Sequence, residues 1–195
     1  MNVEITKTLK KLELSLSNSD LTHNDLCKSY EISIRLRSQF LGLIYEKEMF
    51  NSTGGLRIAD TLATGKADEE MVMLIINEPL PSLKEMTAAI QEHWLELIHT
   101  AIKKSAEDKK LPYFKKAFVW IEISTPVGSN NKKLWDTSNR AINLVINNLK
   151  GIFFEDDNYE HMAFGVVGKW AEKDATTVRI MDFDKVYQSI FPDSP

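Results

Sequence analysis

The chain lacks most of what marks a secreted or membrane protein. Its 195 residues include one cysteine, Cys27, which cannot form an internal disulfide and fits a reducing compartment. No window holds the ~20 apolar residues that a membrane helix needs, and the N-terminus has no apolar run of the signal-peptide type. We therefore expect a cytoplasmic protein with no membrane partner.

Two families of cofactor motif are also missing. No cysteine and histidine residues stand at the spacing of a zinc site. The pair Gly54–Gly55 is not followed by the lysine and hydroxyl residue of a phosphate-binding loop. We expect no organic cofactor and no zinc.

The net charge of the chain is small, but the charged residues are unevenly distributed. The chain carries a formal net charge of −4 at pH 7, yet residues 101–140 hold nine basic and four acidic side chains. The basic residues occur largely as pairs, such as Lys115–Lys116 and Lys132–Lys133. A local window of this sign can neutralise phosphates on an acidic protein. A lysine-rich helix end followed by solvated loops would explain it equally.

Hydrophobic patterning after residue 70 predicts alternating strands and helices. An uninterrupted apolar run predicts a buried strand, and apolar residues at the 3.6-residue period predict helices. The predicted elements are a strand at Met71–Ile76, a helix at Leu83–Lys104, a strand at Ala117–Ser124, a helix ending at Gly151, and strands at Tyr159–Trp170 and Thr177–Phe183. The order β-α-β-α-β-β predicts an α/β (α+β) fold with a small mixed sheet and two packed helices.

The sequence predicts two parts. Residues 1–70 are expected to form a mainly helical N-terminal extension, and residues 71–195 an α/β domain. Alternating leucines at Lys11–Ser17 predict a short strand or an amphipathic lead-in. Asp20–Phe50 predicts a long helix with Thr22 or Asn24 as its N-cap. The glycines of Asn51–Glu70 predict a loop or linker at the boundary.

The stretch from Trp135 to Asp157 concentrates the polar residues that could carry chemistry. Asp136 or Ser138 could cap the helix that follows, since a short side-chain oxygen accepts from the free N–H groups of the first turn. Gly151 is suited to end that helix in the left-handed conformation. The helix has one apolar face, formed by Ile142, Val145, Ile146 and Leu149.

Three adjacent acids follow the helix at Glu155–Asp157. In one interpretation Asp156 and Asp157 meet Asp136 in the fold and bind Mg²⁺, which prefers oxygen ligands. In the other they form a solvated turn between two strands. The local sequence leaves both interpretations open.

Several short motifs are spaced as in one known protein family. They are Asp136-Thr-Ser-Asn139, Leu149-Lys-Gly151, Glu155-Asp156-Asp157, Lys169 on the next strand, and Val178-Arg-Ile180 on the last. Over residues 71–183 the chain resembles the RusA family of Holliday-junction resolvases. These are small Mg²⁺-dependent endonucleases, common in phages and prophages, that act as homodimers.

The resemblance implies a homodimeric endonuclease of DNA recombination or repair that hydrolyses phosphodiesters in branched DNA. It implies that Asp136, Asp156 and Asp157 bind Mg²⁺ or Mn²⁺, assisted by Asn139. Lys169 would support the scissile phosphate or a neighbouring carboxylate. Expected contacts to branched or duplex DNA come from Lys115, Lys116, Lys132, Lys133, Trp135 and Arg140, with a core or dimer role as the alternative for Trp135.

The chain departs from the family inside the helix. Counted back from Gly151, Asn139, Asn143 and Asn147 replace the family's Asp, Lys and Asp. Counted from Asp136, the same positions fall on Ser138, Ile142 and Ile146. Because the lysine and the helical aspartate are missing in either register, the alternative is a degenerate relative that binds DNA or a protein partner without cleaving.

Overall fold

The computed structural model describes residues 3–17, 20–50, 58–107, 110–127 and 140–190. The chain forms two compact units, one from Met1–Gly55 with Thr87–His93 and the other from Leu56–Met86 with Trp94–Pro195. No helix in the described ranges is long and apolar enough to span a membrane.

The first unit contains an antiparallel helical hairpin of α1 (Val3–Leu16) and α2 (His23–Phe50). Residues near the hairpin's turn meet through Ser29, whose hydroxyl donates to Ser15 Oγ at 2.8 Å. Farther from the turn, the Arg35 guanidinium lies 3.7 Å from a Glu4 carboxylate oxygen. These two pairings establish the antiparallel direction of the helices.

The strand predicted at Lys11–Ser17 is wrong, because these residues continue α1. Ile5 and Thr8 are buried and Leu12 is half-buried, which is the spacing of a helix face. Leu14 and Leu16, the other leucines of the alternating pattern, are exposed. The buried face of the helix begins at Ile5, before the segment whose alternating leucines suggested a strand. Packing of this face makes the whole segment helical.

The Thr22 cap predicted for the long helix is confirmed. The Asp25 N–H donates to Thr22 Oγ1 at 3.3 Å, and the Thr22 N–H donates back to Asp25 Oδ2 at 3.2 Å. The Thr22 hydroxyl also donates to Asp25 Oδ2, and these hydrogen bonds lower the pKa of the Asp25 carboxyl. This reciprocal capping box satisfies N–H groups at the start of α2.

The second unit is built on a mixed sheet, as predicted, but the sheet has five strands rather than the four predicted. The strands have the order β1-β2-β5-β3-β4, and β3 with β4 is the parallel pair. The strands are β1 (Ala63–Ala67), β2 (Met71–Ile76), β3 (Ala117–Pro126), β4 (Met162–Ala171) and β5 (Ala175–Asp182). The helices are α3 (Ile58–Leu62), a 3₁₀ turn (Leu83–Glu85), α4 (Ala88–Ser105), α5 (Ile142–Leu149) and α6 (Phe183–Ile190), and the residues of α4 up to His93 belong to the first unit.

The loop predicted at Asn51–Glu70 is wrong for residues 58–67, which form a helix and a strand, whereas residues 68–70 form a turn and residues 51–57 lie outside the described residues. Ala63–Ala67 forms an edge strand antiparallel to β2, so the sheet begins before the expected boundary at residue 71. Gly65 faces α4, where an added Cβ would collide with the Ala101 carbonyl oxygen. The glycine that suggested a loop instead allows a helix to pack closely on a strand.

One face of the sheet carries the core. Val72, Leu74 and Ile76 of β2 are buried, as are Val119, Ile121 and Ile123 of β3 and Val178 and Ile180 of β5. Trp94, Leu97 and Ile98 of α4 and Val145, Ile146 and Leu149 of α5 are also buried. The strand at Met71–Ile76 has the predicted bounds, but only alternate residues of it are fully buried.

We predict that Gly65→Ala destabilises the sheet unit. The new methyl group would force β1 and the α4 backbone apart, and overpacking of this kind costs about 1–3 kcal/mol. Urea denaturation should show a lower midpoint, whereas Thr64→Ala, an exposed change on the same strand, should leave the midpoint unchanged. Equal midpoints for Gly65→Ala and the parent would show that α4 does not pack on β1 this closely.

Candidate functional site

The helix α5 begins later than predicted, and the residues predicted to cap it, Asp136 and Ser138, lie outside the described residues. Its first residue is Ile142 and its N-cap is Ala141, which makes no side-chain cap. Arg140 forms a β-bridge with Ser82, and the Ala141 N–H donates to the Pro81 carbonyl at 3.0 Å. This extended pairing holds the backbone out of helical conformation until Ile142.

The end of α5 is as predicted. Gly151 has a φ of 77°, the left-handed conformation that glycine adopts without strain. Its N–H donates to the Phe154 carbonyl at 2.7 Å, and the Lys150 N–H donates to the Ile146 carbonyl at 3.1 Å. Phe153 and Phe154 are fully buried, so they anchor the turn from which the acids emerge.

The acids at Asp156 and Asp157 converge on one cation, the ammonium of Lys150. Lys150 Nζ lies 3.2 Å from Asp156 Oδ1 and 3.2 Å from Asp157 Oδ1. We call Lys150, Asp156 and Asp157 the acid turn. Two carboxylates on consecutive residues therefore direct one oxygen each towards the same position.

Hydrogen bonds set the ionisation of the acid turn. Donation from the Asp157 N–H lowers the pKa of the Asp156 carboxyl, and the Lys150 ammonium and the Asp157 side chain add to this effect. The same two carboxylates, Asp156 first, raise the pKa of Lys150. All three side chains are solvent-accessible, so the pair interactions are screened and act on local geometry more than on global stability.

The rest of the turn is a hydrogen-bonded surface structure. Asn158 Nδ2 donates to Asp156 Oδ2 at 3.1 Å, and Asn158 Oδ1 accepts from the Glu160 N–H at 2.9 Å. His161 Nε2 lies 3.8 Å from a Glu155 carboxylate oxygen. These contacts shape a polar turn before β4, which also agrees with the interpretation of the acids as a solvated turn.

Two of the predicted DNA contacts lie at the same end of the sheet as the acid turn. The Phe114 N–H donates to the Phe153 carbonyl, and the Ala117 N–H donates to the His161 carbonyl, both at 2.8 Å. Lys115 and Lys116 lie between these anchors. Lys115 is exposed, whereas Lys116 Nζ lies 4.4 Å from the centroid of the Phe183 ring.

Lys169 lies at the other end of the sheet. It is in register with Ser124 near the end of β3, seven residues along β4 from Met162, a separation of about 23 Å. Its ammonium lies 2.8 Å from Glu122 Oε1. The predicted neighbouring carboxylate is therefore Glu122 rather than Asp156 or Asp157.

Sequence reasoning missed Glu122 as that partner. Arg179 NH1 also approaches it, at 3.5 Å from Oε2, so this carboxylate lies between two cations. A signal was present, since Glu122 is the one acid inside an otherwise apolar strand segment, AFVWIEIS. Such an acid needs a partner, and the neighbouring strands supply it.

Arg140 does not have the role predicted from the sequence. It is buried, and its guanidinium donates to the Leu80 carbonyl at 2.8 Å. This hydrogen bond joins the start of α5 to the chain before α4. The guanidinium of Arg140 therefore points into the protein and not towards a DNA phosphate. The other predicted residues of this stretch lie outside the described residues: Lys132, Lys133, Trp135, Asp136, Ser138 and Asn139.

A complete metal site is not formed by the residues that the structure describes. Among their histidine, cysteine, aspartate and glutamate side chains, no group of three is placed to hold a metal ion. Asp156 and Asp157 supply two oxygen donors, and the predicted third, Asp136, lies outside the described residues. Asn143 and Asn147 are exposed on α5, as the polar face predicted from their spacing requires.

Comparison of the chain with protein-family models, with curated proteins and with solved structures finds no match. The relation to the RusA family therefore stays a prediction from the motifs quoted above.

We predict that Lys150→Gln raises the pKa of Asp156 but leaves it below the ordinary value, because the Asp157 N–H remains as a donor. A carboxyl ¹³C NMR titration would measure the change, with Lys173→Gln in the distant β4–β5 hairpin as the matched control. Because the pKa of Asp156 is lower in the folded protein than in the unfolded chain, its ionised carboxylate stabilises the fold when the pH is above the unfolded-state pKa. This stabilisation is lost as the pH falls through the folded-state pKa. Identical Asp156 pKa values in Lys150→Gln and the parent would contradict the contact.

Proposed function

We propose that the chain is a RusA-like endonuclease that hydrolyses phosphodiester bonds in branched DNA such as Holliday junctions. Asp156, Asp157 and Asp136 would hold Mg²⁺, or Mn²⁺ in its place. The observation that supports this proposal is the convergence of Asp156 Oδ1 and Asp157 Oδ1 on one cation at 3.2 Å. Carboxylate oxygens that converge on one position at the protein surface suit a hard divalent cation.

Each residue of the acid turn has a part in this proposal. The bound ion would activate water and stabilise the charge of the phosphoryl transition state. Asp156 stays ionised at neutral pH, because the hydrogen bond from the Asp157 N–H lowers the pKa of its carboxyl. Lys150 would move from the carboxylates to a DNA phosphate, since its flexible stem carries a point charge that either partner can bind.

DNA would bind by local rather than overall charge. The protein is acidic in total, so the duplex must approach a basic surface that lies beside the acid turn. Lys115 and Lys116 lie at that end of the sheet, and phosphate contacts from such residues position a substrate without reading its sequence. A homodimer would carry two acid turns, one for each strand that a resolvase must cut. The resemblance to the RusA family adds to the proposal a role in recombination or repair in a phage or prophage.

A second candidate function is binding of branched DNA without cleavage. It is favoured by the ammonium of Lys150, which lies at the position where the carboxylates converge. The missing helical lysine and aspartate favour it too, since such groups supply charge stabilisation and metal affinity. The two candidates share a fold and a DNA surface and differ in whether a metal enters the acid turn.

We predict that the protein nicks a synthetic four-way junction with Mg²⁺ or Mn²⁺, and that Asp156→Asn reduces the rate by roughly 100-fold or more through loss of a metal ligand. Glu172→Gln, which removes one negative charge at the opposite end of β4, should leave the rate unchanged. Junction binding without cleavage would support the second candidate. If the protein neither binds nor cleaves the junction, that result would contradict both candidate functions.

We predict that Lys115→Gln weakens junction binding for all sequences alike, because it removes a phosphate contact. The slope of log K against log salt concentration should fall by about 0.9. Fluorescence anisotropy over a salt series would measure this, with Lys173→Gln as the control. An unchanged slope would place the DNA away from this end of the sheet.

A further inference from the structure

The strand β4 lies at one edge of the sheet, and no strand among the described residues pairs with its outer side. Its partner is β3, in parallel register from Met162 to Ala171. An edge strand presents a row of backbone N–H and C=O groups that can pair with another chain. The ten residues of β4 carry such a row along the side away from β3.

The phase of the β3–β4 ladder identifies the groups that point outwards. Ala117 is in register with Met162, and its N–H donates to the His161 carbonyl at 2.8 Å. In a parallel ladder the N–H and C=O of one residue point to the same side, and successive residues alternate between the two sides. The residues of β4 whose N–H and C=O both point away from β3 are therefore Phe164, Val166, Gly168 and Trp170. In the described part of the chain, no hydrogen bond reaches these outward groups.

The side chains of the same residues extend the core of the sheet to its edge. Phe164 is in register with Val119, and Trp170 with Thr125. Val119 is fully buried, whereas Phe164 is 53% exposed and Trp170 is 37% exposed. The layer that buries β3 therefore does not cover these two aromatic side chains. A strand added along β4 would extend the same rows, and its alternate side chains would pack against both rings.

The opposite edge of the sheet has the protection that exposed strands usually carry. β1 has five residues, Lys66 on it is exposed, and Lys104 Nζ donates to the Ala63 carbonyl at 2.9 Å. Short length and lysine side chains discourage pairing with another chain. β4 is longer and has no proline, and its one charged residue, Lys169, turns across the sheet to Glu122 at 2.8 Å. The contrast indicates that the edge of β4 is suited to receive a further strand.

We propose that β4 binds an extended segment of another protein, which adds to the sheet as a sixth strand. The segment would run antiparallel to β4, since antiparallel pairing is the more stable per residue. Its backbone would pair with the outward groups of β4, and apolar side chains at every second position would pack on Phe164 and Trp170. Main-chain hydrogen bonds supply the affinity in this mode of recognition, and the alternate side chains supply the specificity.

Charge at the two ends of β4 defines the segment further. Four acidic side chains lie directly before the strand, at Glu155, Asp156, Asp157 and Glu160. Lys150 neutralises part of this charge through its contacts with Asp156 and Asp157. In an antiparallel pair this end of β4 lies beside the C-terminal end of the added strand. The segment that fits is therefore apolar at alternate positions and carries Lys or Arg at its C-terminal end.

A second copy of β4 fits this edge less well than a segment of another protein. If two β4 strands paired antiparallel about Val166, Glu160 of each copy would face Glu172 of the other. The two neighbouring registers would set Glu160 or Asp156 against Asp174 of the other copy. Like charges directly opposite each other across a strand pair are destabilising. A segment with a basic C-terminal end avoids this repulsion.

Amide hydrogen exchange followed by NMR tests the proposal on the parent chain. The probe is a synthetic peptide in which valine and threonine alternate over about eight residues, followed by a pair of lysines at its C-terminus. We expect this peptide to slow the exchange of the four outward amides, at Phe164, Val166, Gly168 and Trp170. The inward amides already pair with β3 and should not change: Ala163, Gly165, Val167 and Lys169. A matched peptide that ends in two glutamates should bind about tenfold more weakly or worse.

Substitution of Phe164 separates binding at the edge from folding of the sheet. Phe164→Pro removes an outward N–H, a change that an edge strand tolerates when that N–H faces solvent. It should weaken binding of the lysine peptide by about tenfold or more, because a partner carbonyl loses its donor. Phe164→Ala keeps the donor and should lose less. Tyr187→Ala, at an exposed aromatic residue of α6, should bind as the parent does. Circular dichroism checks that all three variants fold.

Three results would overturn the proposal. Slow exchange of the outward amides in the dilute parent chain would show that the chain itself covers this edge. Protection that appears without peptide as the protein concentration rises would identify a second copy as the occupant. Equal exchange with and without the lysine peptide at millimolar concentration would show that the edge does not accept a strand. The junction-nicking rate tests the proposed nuclease alone, because the outward backbone groups of β4 take no part in that reaction.

Discussion

The parallel pairing of β3 with β4 is the constraint on which the rest of the sheet unit depends. A parallel pair cannot be closed by a tight turn, so the chain must return the length of the sheet before β4 begins. The helix α5 makes part of that return, and Gly151 ends the helix. The acids that follow are therefore delivered to the sheet end where β3 starts, beside Lys115 and Lys116.

The same parallel pairing separates Lys169 from the other predicted site residues, Asp156 and Asp157. Because β4 runs away from the acid turn, Lys169 arrives at the far end of the sheet and meets Glu122. Arg140 is drawn inward for a related reason, since the strand-like contact with Ser82 places its backbone inside the fold. What remains near Asp156 and Asp157 is a compact surface of two carboxylates and exposed lysines, a suitable beginning for a site that binds DNA and a divalent ion.

The sheet also shows how a buried and an accessible face arise from one apolar strand. α4 packs against the face that carries Gly65, where the absence of a side chain brings helix and strand together. The opposite face keeps Trp120, Phe118 and the methionines of β2 partly exposed.

Much of the architecture follows from local sequence. The strand at Met71–Ile76, the Thr22 cap and the left-handed Gly151 each depend on neighbours a few residues away, so the sequence predicted them correctly. Features that depend on distant partners were not predictable. Gly65 lies in a strand because β1 pairs with β2, and α5 starts late because its first residues contact Pro81 and Ser82. Lys169 meets Glu122 because β3 and β4 are parallel. The sequence by itself determined the strands β2 to β5, the helices α2 and α4 and the end of α5, because periodicity and capping within a few residues make those choices. Only the tertiary structure decided which charged groups share a surface, because that depends on strand order and direction, which no short stretch of residues encodes.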